Sequence, residues 1–370
     1  MDDFIPISKP SIGPRERELV LDAVDSGWVS SIGKYIDEFE AMFARYCGTE
    51  FALAVSNGTT GLHLSLVTLG IGPGDEVIIP DLTFVATANA VAYTGAKPIL
   101  ADVDPDTLCI DPASVKSLIT ERTKVIVPVH LYGHPADMDE LTVIAKAYNI
   151  AVIEDAAEAH GAEYKGIRVG GLSQCGVFSF YGNKVITTGE GGMLTTNDPA
   201  FYRRAKRLRD HAMSAERRYF HDERGFNYRM TNLQAALGVA QMERIGEFLK
   251  RREEIMTWYH SAISCSETVR LNRVKNWANS AFWMVCLEVD QFDEARRNAF
   301  MDGLKRRGID SRPYFCTMSS MPMYRQAPLP VAARKAQTGL NLPSFFELAQ
   351  SDVERIGNAV TELLIEASLR

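Results

Sequence analysis

Short apolar runs rich in Val and Ile recur over about the first 200 residues, at 52–55, 76–79, 98–100, 125–129, 151–153, 177–180 and 193–195. Their residues are apolar at consecutive rather than alternate positions, and the runs are too short for buried helices. Each therefore reads as a strand covered on both faces. Between most of them lie stretches with apolar residues at helical spacing, at 62–69, 84–92, 115–119 and 141–148. Strands that alternate with helices in this way predict an α/β fold with a mostly parallel sheet and helices on both sides. A further helix is expected at 14–25, where Pro14 suits a first turn that has no use for its N–H.

The pattern changes after residue 230. From Asn232 to about residue 263 the spacing predicts one long helix, with Leu233, Leu237, Ala240, Met242, Ile245 and Phe248 on its apolar positions. Beyond it come a β-rich run at 281–289, a helix at 293–307, an extended stretch at 309–315 and a last helix at 351–367. This predicts a second, smaller α/β domain. The long helix would bridge the two, with a large domain over 1–245 and a small one over 246–370.

Composition narrows the class. The chain has 370 residues, 46% hydrophobic and 24% charged, as a soluble globular protein has. A net charge of −7 argues against a nucleic-acid partner, which requires a basic face. The start, Met1-Asp2-Asp3-Phe4, is acidic and lacks the apolar core of a signal peptide. No apolar run approaches the ~18 residues of a membrane span. A cytoplasmic location with no membrane contact is expected. The six cysteines show no CxxC spacing and read as reduced thiols, mostly buried, with no metal site. The basic clusters at 203–209 and 250–252 read as solvated helix faces.

Three segments carry candidate chemistry. Ser56-Asn57-Gly58-Thr59-Thr60 follows a strand and opens a helix from about Gly61. Such a turn presents free N–H groups and hydroxyls to an anion, although an N-cap alone has the same spelling. Val152-Ile153-Glu154-Asp155, followed by Glu158 and His160, puts a carboxylate at the carboxyl end of a buried strand. Open α/β sheets bind ligands there, and an ionised Asp can hold a cation or a protonated ring nitrogen; a helix-capping Asp is the plainer alternative. Phe178-Ser179-Phe180-Tyr181-Gly182-Asn183-Lys184 precedes Gly189-Glu190-Gly191-Gly192 and places one lysine in a small, apolar setting. Desolvation makes a lysine amine neutral and nucleophilic, as Schiff-base chemistry requires.

These segments, in this order, resemble the DegT/DnrJ/EryC1/StrS family of sugar aminotransferases. Further matching runs are Trp28-Val29-Ser30-Ser31-Ile32-Gly33, Gly72-Pro73-Gly74-Asp75-Glu76-Val77, His130-Leu131-Tyr132-Gly133 and Gly225-Phe226-Asn227-Tyr228-Arg229-Met230. The resemblance is dense from about Ile7 to about Gln241 and thins beyond. It implies the fold-type-I architecture of aminotransferases that use pyridoxal 5′-phosphate (PLP). It also implies roles: Lys184 would hold the cofactor aldehyde covalently and move protons, Asp155 would pair with the ring nitrogen, and Phe84 would stack on the ring. Glu158 would stand near the ring hydroxyl, and Gly58, Thr59 and Ser179 would bind the phosphate. Asn227 would reach that phosphate from a second subunit, making a homodimer with shared sites.

Within the family, residues 27–36, 129–135 and 225–234 resemble the branch that moves an amino group from L-glutamate to C4 of GDP-4-keto-6-deoxy-mannose, an O-antigen sugar precursor. That likeness implies substrate contacts from Trp28, Ser30, Arg229 and Tyr314. Alternatives are a dTDP- or UDP-linked keto sugar, a dehydratase using pyridoxamine phosphate, or a non-catalytic sensor. The dehydratase branch has His where Lys184 stands here. Two departures are visible. Ser173 replaces a common Asp, with an expected effect on packing only, and residues 316–324 do not match the family's usual loop.

Overall fold

The consecutive apolar runs become a seven-stranded sheet, ordered Phe51–Val55, Gly192–Thr196, Cys175–Ser179, Ala151–Asp155, Thr123–Ile126, Glu76–Pro80 and Lys97–Ala101. This is seen in a computed structural model that describes residues 4–368. The acidic start at Met1, Asp2 and Asp3 lies outside the described residues. Neighbouring strands run parallel except Gly192–Thr196, which is antiparallel to the strands on both its sides.

Successive side chains leave a strand on opposite faces, and here both faces are buried. Ala52, Ala54, Ile78, Ile126 and Val152 enter one core, beneath helices Pro14–Asp25, Lys34–Cys47 and Asn232–Glu243. Leu53, Val55, Val77, Ile79 and Ile153 enter the other, beneath Gly58–Thr68, Ala86–Tyr93 and Pro199–Arg209. Consecutive apolar positions are thus the signature of a sheet with two cores. A one-residue slip would exchange the two sets, whose sizes differ.

The C-terminal part builds a four-stranded antiparallel sheet in the order Val269–Arg270, Val285–Val289, Gly339–Leu342, Arg312–Pro313. Val285, Leu287, Leu340 and Val360 form its core with Ile255 and Tyr259 of the helix Ile245–Ala262. Ile5 also enters this core, and its N–H donates to Gly308 O at 2.8 Å. Ile5 is therefore packed in the C-terminal unit, although it precedes the whole of the large sheet in the chain. Among the described residues no helix is long and apolar enough to cross a membrane.

Several expectations are corrected. The long helix is two, Asn232–Glu243 and Ile245–Ala262, broken at Arg244 with φ −112° and ψ 2°. Apolar periodicity runs through the break, so it left no trace in the pattern. The Arg244 guanidinium reaches Glu16 at 3.0 Å and lies over the Phe248 ring, and flexible Gly246 follows. The helix after the first strand run opens at Gly58 rather than Gly61, capped by Asn57. The helices Lys34–Cys47 and Pro330–Thr338 and the strand Gly339–Leu342 add to the elements read, and only Arg312–Pro313 of the 309–315 stretch pairs as a strand. The basic run at 250–252 is not a solvated face throughout: Arg252 is buried, and its Nη1 donates to Trp283 O and Ser344 O, each at 2.7 Å. Four of the six cysteines are buried, whereas Cys265 and Cys316 are exposed.

Candidate active site

Strand alternation at the end of Ala151–Asp155 separates two carboxylates. Glu154 is fully buried and accepts hydrogen bonds from Gly170 N–H (2.7 Å), Leu172 N–H (2.9 Å), Ser173 Oγ (3.0 Å) and His130 Nε2 (3.1 Å). His130 Nδ1 accepts from Ala136 N–H at 2.9 Å, which assigns the ring proton to Nε2, facing Glu154. Ser173 therefore does more than pack: an Asp there would set a second carboxylate against Glu154.

Asp155 instead faces a cleft of about 650 Å³ at the carboxyl ends of the parallel strands. Its carboxylate accepts from Thr87 Oγ1 at 2.8 Å and Ala157 N–H at 3.2 Å. Burial pushes its carboxyl above the usual range, against the pull of those donors. Glu158, also buried, accepts Tyr132 N–H at 3.0 Å and lies 3.5 Å from Lys184 Nζ. Burial raises the Glu158 carboxyl and lowers the Lys184 amine, while their mutual attraction opposes both shifts.

Lys184 sits in a tight loop after the strand Cys175–Ser179. Its N–H donates to Tyr181 O at 2.9 Å, and Thr187 Oγ1 and Thr188 N–H both donate to Phe180 O, at 2.9 and 3.0 Å. Opposite it, the helix Gly58–Thr68 points its N-terminus into the cleft. Asn57 Oδ1 caps Thr60 N–H at 2.9 Å, which leaves the amides of Gly58 and Thr59 without intrahelical acceptors. A Cβ on Gly58 would come within 3.0 Å of Ser179 Cβ, so the residue type sets how closely this turn approaches Ser179. The helix-capping reading and the anion-site reading thus hold together, because Asn57 caps while its neighbours stay free.

The cleft brings together Gly58, Thr59, Phe84, Asp155, Glu158, Ser179 and Lys184. It does not contain the other five residues singled out. Trp28 is 57% exposed and, with Ser30, lies away from the cleft, where their carbonyls hold Asn232. Asn227 is exposed and accepts from Arg229 Nε at 3.3 Å, and Arg229 pairs with Asp210 at 2.9 Å. Tyr314 is 2% exposed and its ring packs at 5.1 Å from that of Tyr132. In this extended segment neighbouring side chains face opposite ways, so Phe315, not Tyr314, lines the cleft.

Thr87, Asn183 and Trp283 line the cleft without having been singled out as site residues. Thr87 holds Asp155, and Trp283 lies with its ring 3.9 Å from Lys184 Nζ. Asn183 has a buried Oδ1 with no hydrogen-bond partner among the described residues. Phe315, which packs 5.6 Å from Phe84, belongs to the stretch 311–315 that the family likeness puts near the sugar nucleotide. Asn183 stood inside a motif already singled out, whereas Trp283 comes from a sequence distance that no local signal bridges. Among the described residues no group of three or more His, Cys, Asp and Glu side chains is arranged to hold a metal.

Comparison with known proteins agrees with this geometry. The pattern of the DegT/DnrJ/EryC1/StrS aminotransferase family matches residues 10–361. The chain is 46% identical to GDP-perosamine synthase of Caulobacter vibrioides, over 98% of each chain. It is 42% identical to GDP-perosamine synthase of Escherichia coli O157:H7, over 97% of this chain and 98% of the other. The PLP form of a putative sugar aminotransferase from Streptococcus pneumoniae superposes with a TM-score of 0.93 at 28% identity, covering 98% of this chain and 99% of the other.

Proposed function

The chain belongs to the DegT/DnrJ/EryC1/StrS aminotransferase family, and from that premise we propose that it moves an amino group from L-glutamate to C4 of GDP-4-keto-6-deoxy-D-mannose, forming GDP-perosamine. It is a PLP-dependent aminotransferase of fold type I. The substrate is inferred from its identity of 42% and 46% to two GDP-perosamine synthases across nearly their whole length.

The residues present fit PLP. A buried carboxylate (Asp155) and a buried amine (Lys184) face one cleft of suitable size, with two free helix-N-terminal amides and Ser179 at its far side. When bound, PLP supplies a conjugated ring that withdraws electrons from the carbon bearing the amino nitrogen. The chain's own groups do the rest. Asp155, held by Thr87 and Ala157, keeps a negative charge where a ring nitrogen needs a proton. Gly58, Thr59 and Ser179 would hold the phosphate, and Phe84 would pack against the ring. Lys184 Nζ would hold the cofactor and, as a neutral amine, would take the proton from the donor's α-carbon and deliver it onward. The observation that carries this reading is the burial of Lys184 between Glu158 and Trp283 at the cleft.

The same reading divides the chain into a large unit, 1–245, and a small one, 246–370, which meet over the cleft. It also makes the enzyme a homodimer in the cytoplasm. Asn227 would serve the partner's phosphate site, and Trp28, Ser30 and Arg229 would line the shared entrance. The exposure of Asn227, Trp28 and Ser30 within one chain supports this assignment. The test is mass spectrometry of purified protein incubated with L-glutamate and candidate keto sugars. A C4-aminated GDP sugar is expected, and amination of only a dTDP- or UDP-linked sugar would replace the substrate assignment.

A further inference from the structure

The segment that brings Trp283 to the cleft is held in place with unusual closeness. Gly133 has φ +100°, and a Cβ there would lie 2.8 Å from Phe282 N and 2.9 Å from Trp283 N. Ala281 N–H donates to Gly133 O at 2.9 Å across this contact. On both sides of it a non-glycine residue sits in the left-handed region, Tyr132 at φ +52° and Phe282 at φ +44°. Such backbone is unfavourable for a residue with a Cβ and persists only where the surroundings demand it. Behind the segment, buried Arg252 donates from Nη1 to Trp283 O at 2.7 Å.

Trp283 then touches two consecutive residues of the loop. Its Nε1–H donates to Asn183 O at 2.7 Å, and its ring face lies 3.9 Å from Lys184 Nζ. The indole stands nearly parallel to the Tyr132 ring, 6.2 Å away at 19°. Tyr132 in turn donates its N–H to Glu158, the carboxylate 3.5 Å from the same amine. The amine is thus flanked by an aromatic face and a carboxylate that are fixed to each other through Tyr132.

From this arrangement we propose that Trp283 is a positioning residue for Lys184: its ring face holds the free ε-amine, and its N–H fixes the peptide unit before it, so that the amine is aimed at the cofactor site whenever it is not bonded there. The inference rests on the reading of Lys184 as the residue that carries the cofactor. A face of π electrons attracts an ammonium and tolerates an amine, so it can hold Lys184 in either protonation state without a bond that must be broken. Glu158 supplies the polar partner on the other side.

The test follows attachment rather than turnover. Cofactor-free protein is mixed with PLP, and samples are reduced with borohydride at intervals and mapped by mass spectrometry. Attachment joins Lys184 Nζ to the aldehyde carbon as C=N with loss of one water, and reduction fixes it. In Trp283→Leu the rate of adduct formation on Lys184 is expected to fall about tenfold, as a mis-aimed nucleophile does. Trp283→Phe, which keeps a ring face, should stay within about threefold of wild type. Trp283→Met gives the same comparison as Leu with a more adaptable side chain, should the Leu variant fail to fold. In the variants that fold, kcat should fall with KM for the sugar unchanged. Attachment at the wild-type rate in Leu or Met, with only the melting temperature lowered, would overturn the inference and leave the function intact. A wild-type protein whose adduct forms on another lysine would overturn the reading of Lys184 and this inference with it.

Discussion

The floor of the cleft and the hairpin over residues 210–229 are both rich in charged and aromatic groups, yet they are built in opposite ways. On the floor, Asp155 and Glu158 are buried and Lys184 is largely so, and each charge is met from within the chain by Thr87, Ala157, Tyr132 or a neighbour in the trio. The hairpin is pinned at its base by bridges between Asp210 and Asn227 and between Met213 and His221, but its tip is turned outward. Tyr219 is 76% exposed and Phe220 45%, and Arg224 and Arg229 line an open groove with His211 and His221. Burying an aromatic ring is worth a few kcal/mol, so rings left outside a chain with a normal core point to a surface that something else covers. One region is complete in a single chain. The proposed homodimer would complete the other with a second one.

The largest expected effect breaks the floor. Lys184→Ala should lose at least about a thousandfold in kcat, because no other amine lines the cleft among the described residues. It should still fold and retain cofactor, since the other cofactor contacts survive; absorbance after gel filtration checks this. Asp155→Asn comes next, with about a hundredfold loss, because an amide cannot balance a cationic ring nitrogen. Its pH behaviour has a definite sign. Burial raises the Asp155 carboxyl, so as pH falls it takes up a proton earlier than an ordinary carboxylate and loses its hold on a cation. Cofactor retention should therefore weaken on the acid side in wild type, and the Asn variant should lack that component.

The hairpin is tested by asking whether two broken chains repair each other. Asn227→Asp would put a carboxylate against the partner's phosphate and should be inactive alone. Mixed with Lys184→Ala under conditions of subunit exchange, half of the dimers are heterodimers with one intact site each. About a quarter of wild-type activity should return. Confirmed exchange with no recovery would show that Asn227 serves its own chain or none.

The smallest effect separates two neighbours. Phe315→Ala should raise KM for the sugar nucleotide several-fold, because its ring lines the cleft beside Phe84 and is backed by the buried Tyr132 ring. Tyr314→Phe should leave KM and kcat within about twofold, because that side chain is turned into the core. The reverse result would mean that the segment 312–315 rotates when substrate binds.

Much of this was legible without coordinates, for reasons that are local. Consecutive Val and Ile at 76–79 or 151–153 mark strands covered on both faces, because side-chain alternation leaves no position for a polar residue. The candidate floor was readable in part: Asp155, Glu158 and Lys184 lie in short motifs beside strand ends, where an α/β sheet opens to a ligand, but their roles came from the resemblance to the family. The break at Arg244 was not readable, because apolar spacing continues across it and the Arg244 side chain is held there by an ion pair to Glu16, 228 residues away. Tyr314 and Phe315 could not be told apart, because an extended pair faces both ways and only the partner surface says which way is in. Trp283 reaches Lys184 through a turn at Gly133 and a buried Arg252, three stretches of chain with no common pattern. The sequence by itself determined the elements and the reactive groups, since both depend on neighbours along the chain; which side chains surround the reactive amine was decided only by tertiary packing, since that depends on neighbours in space.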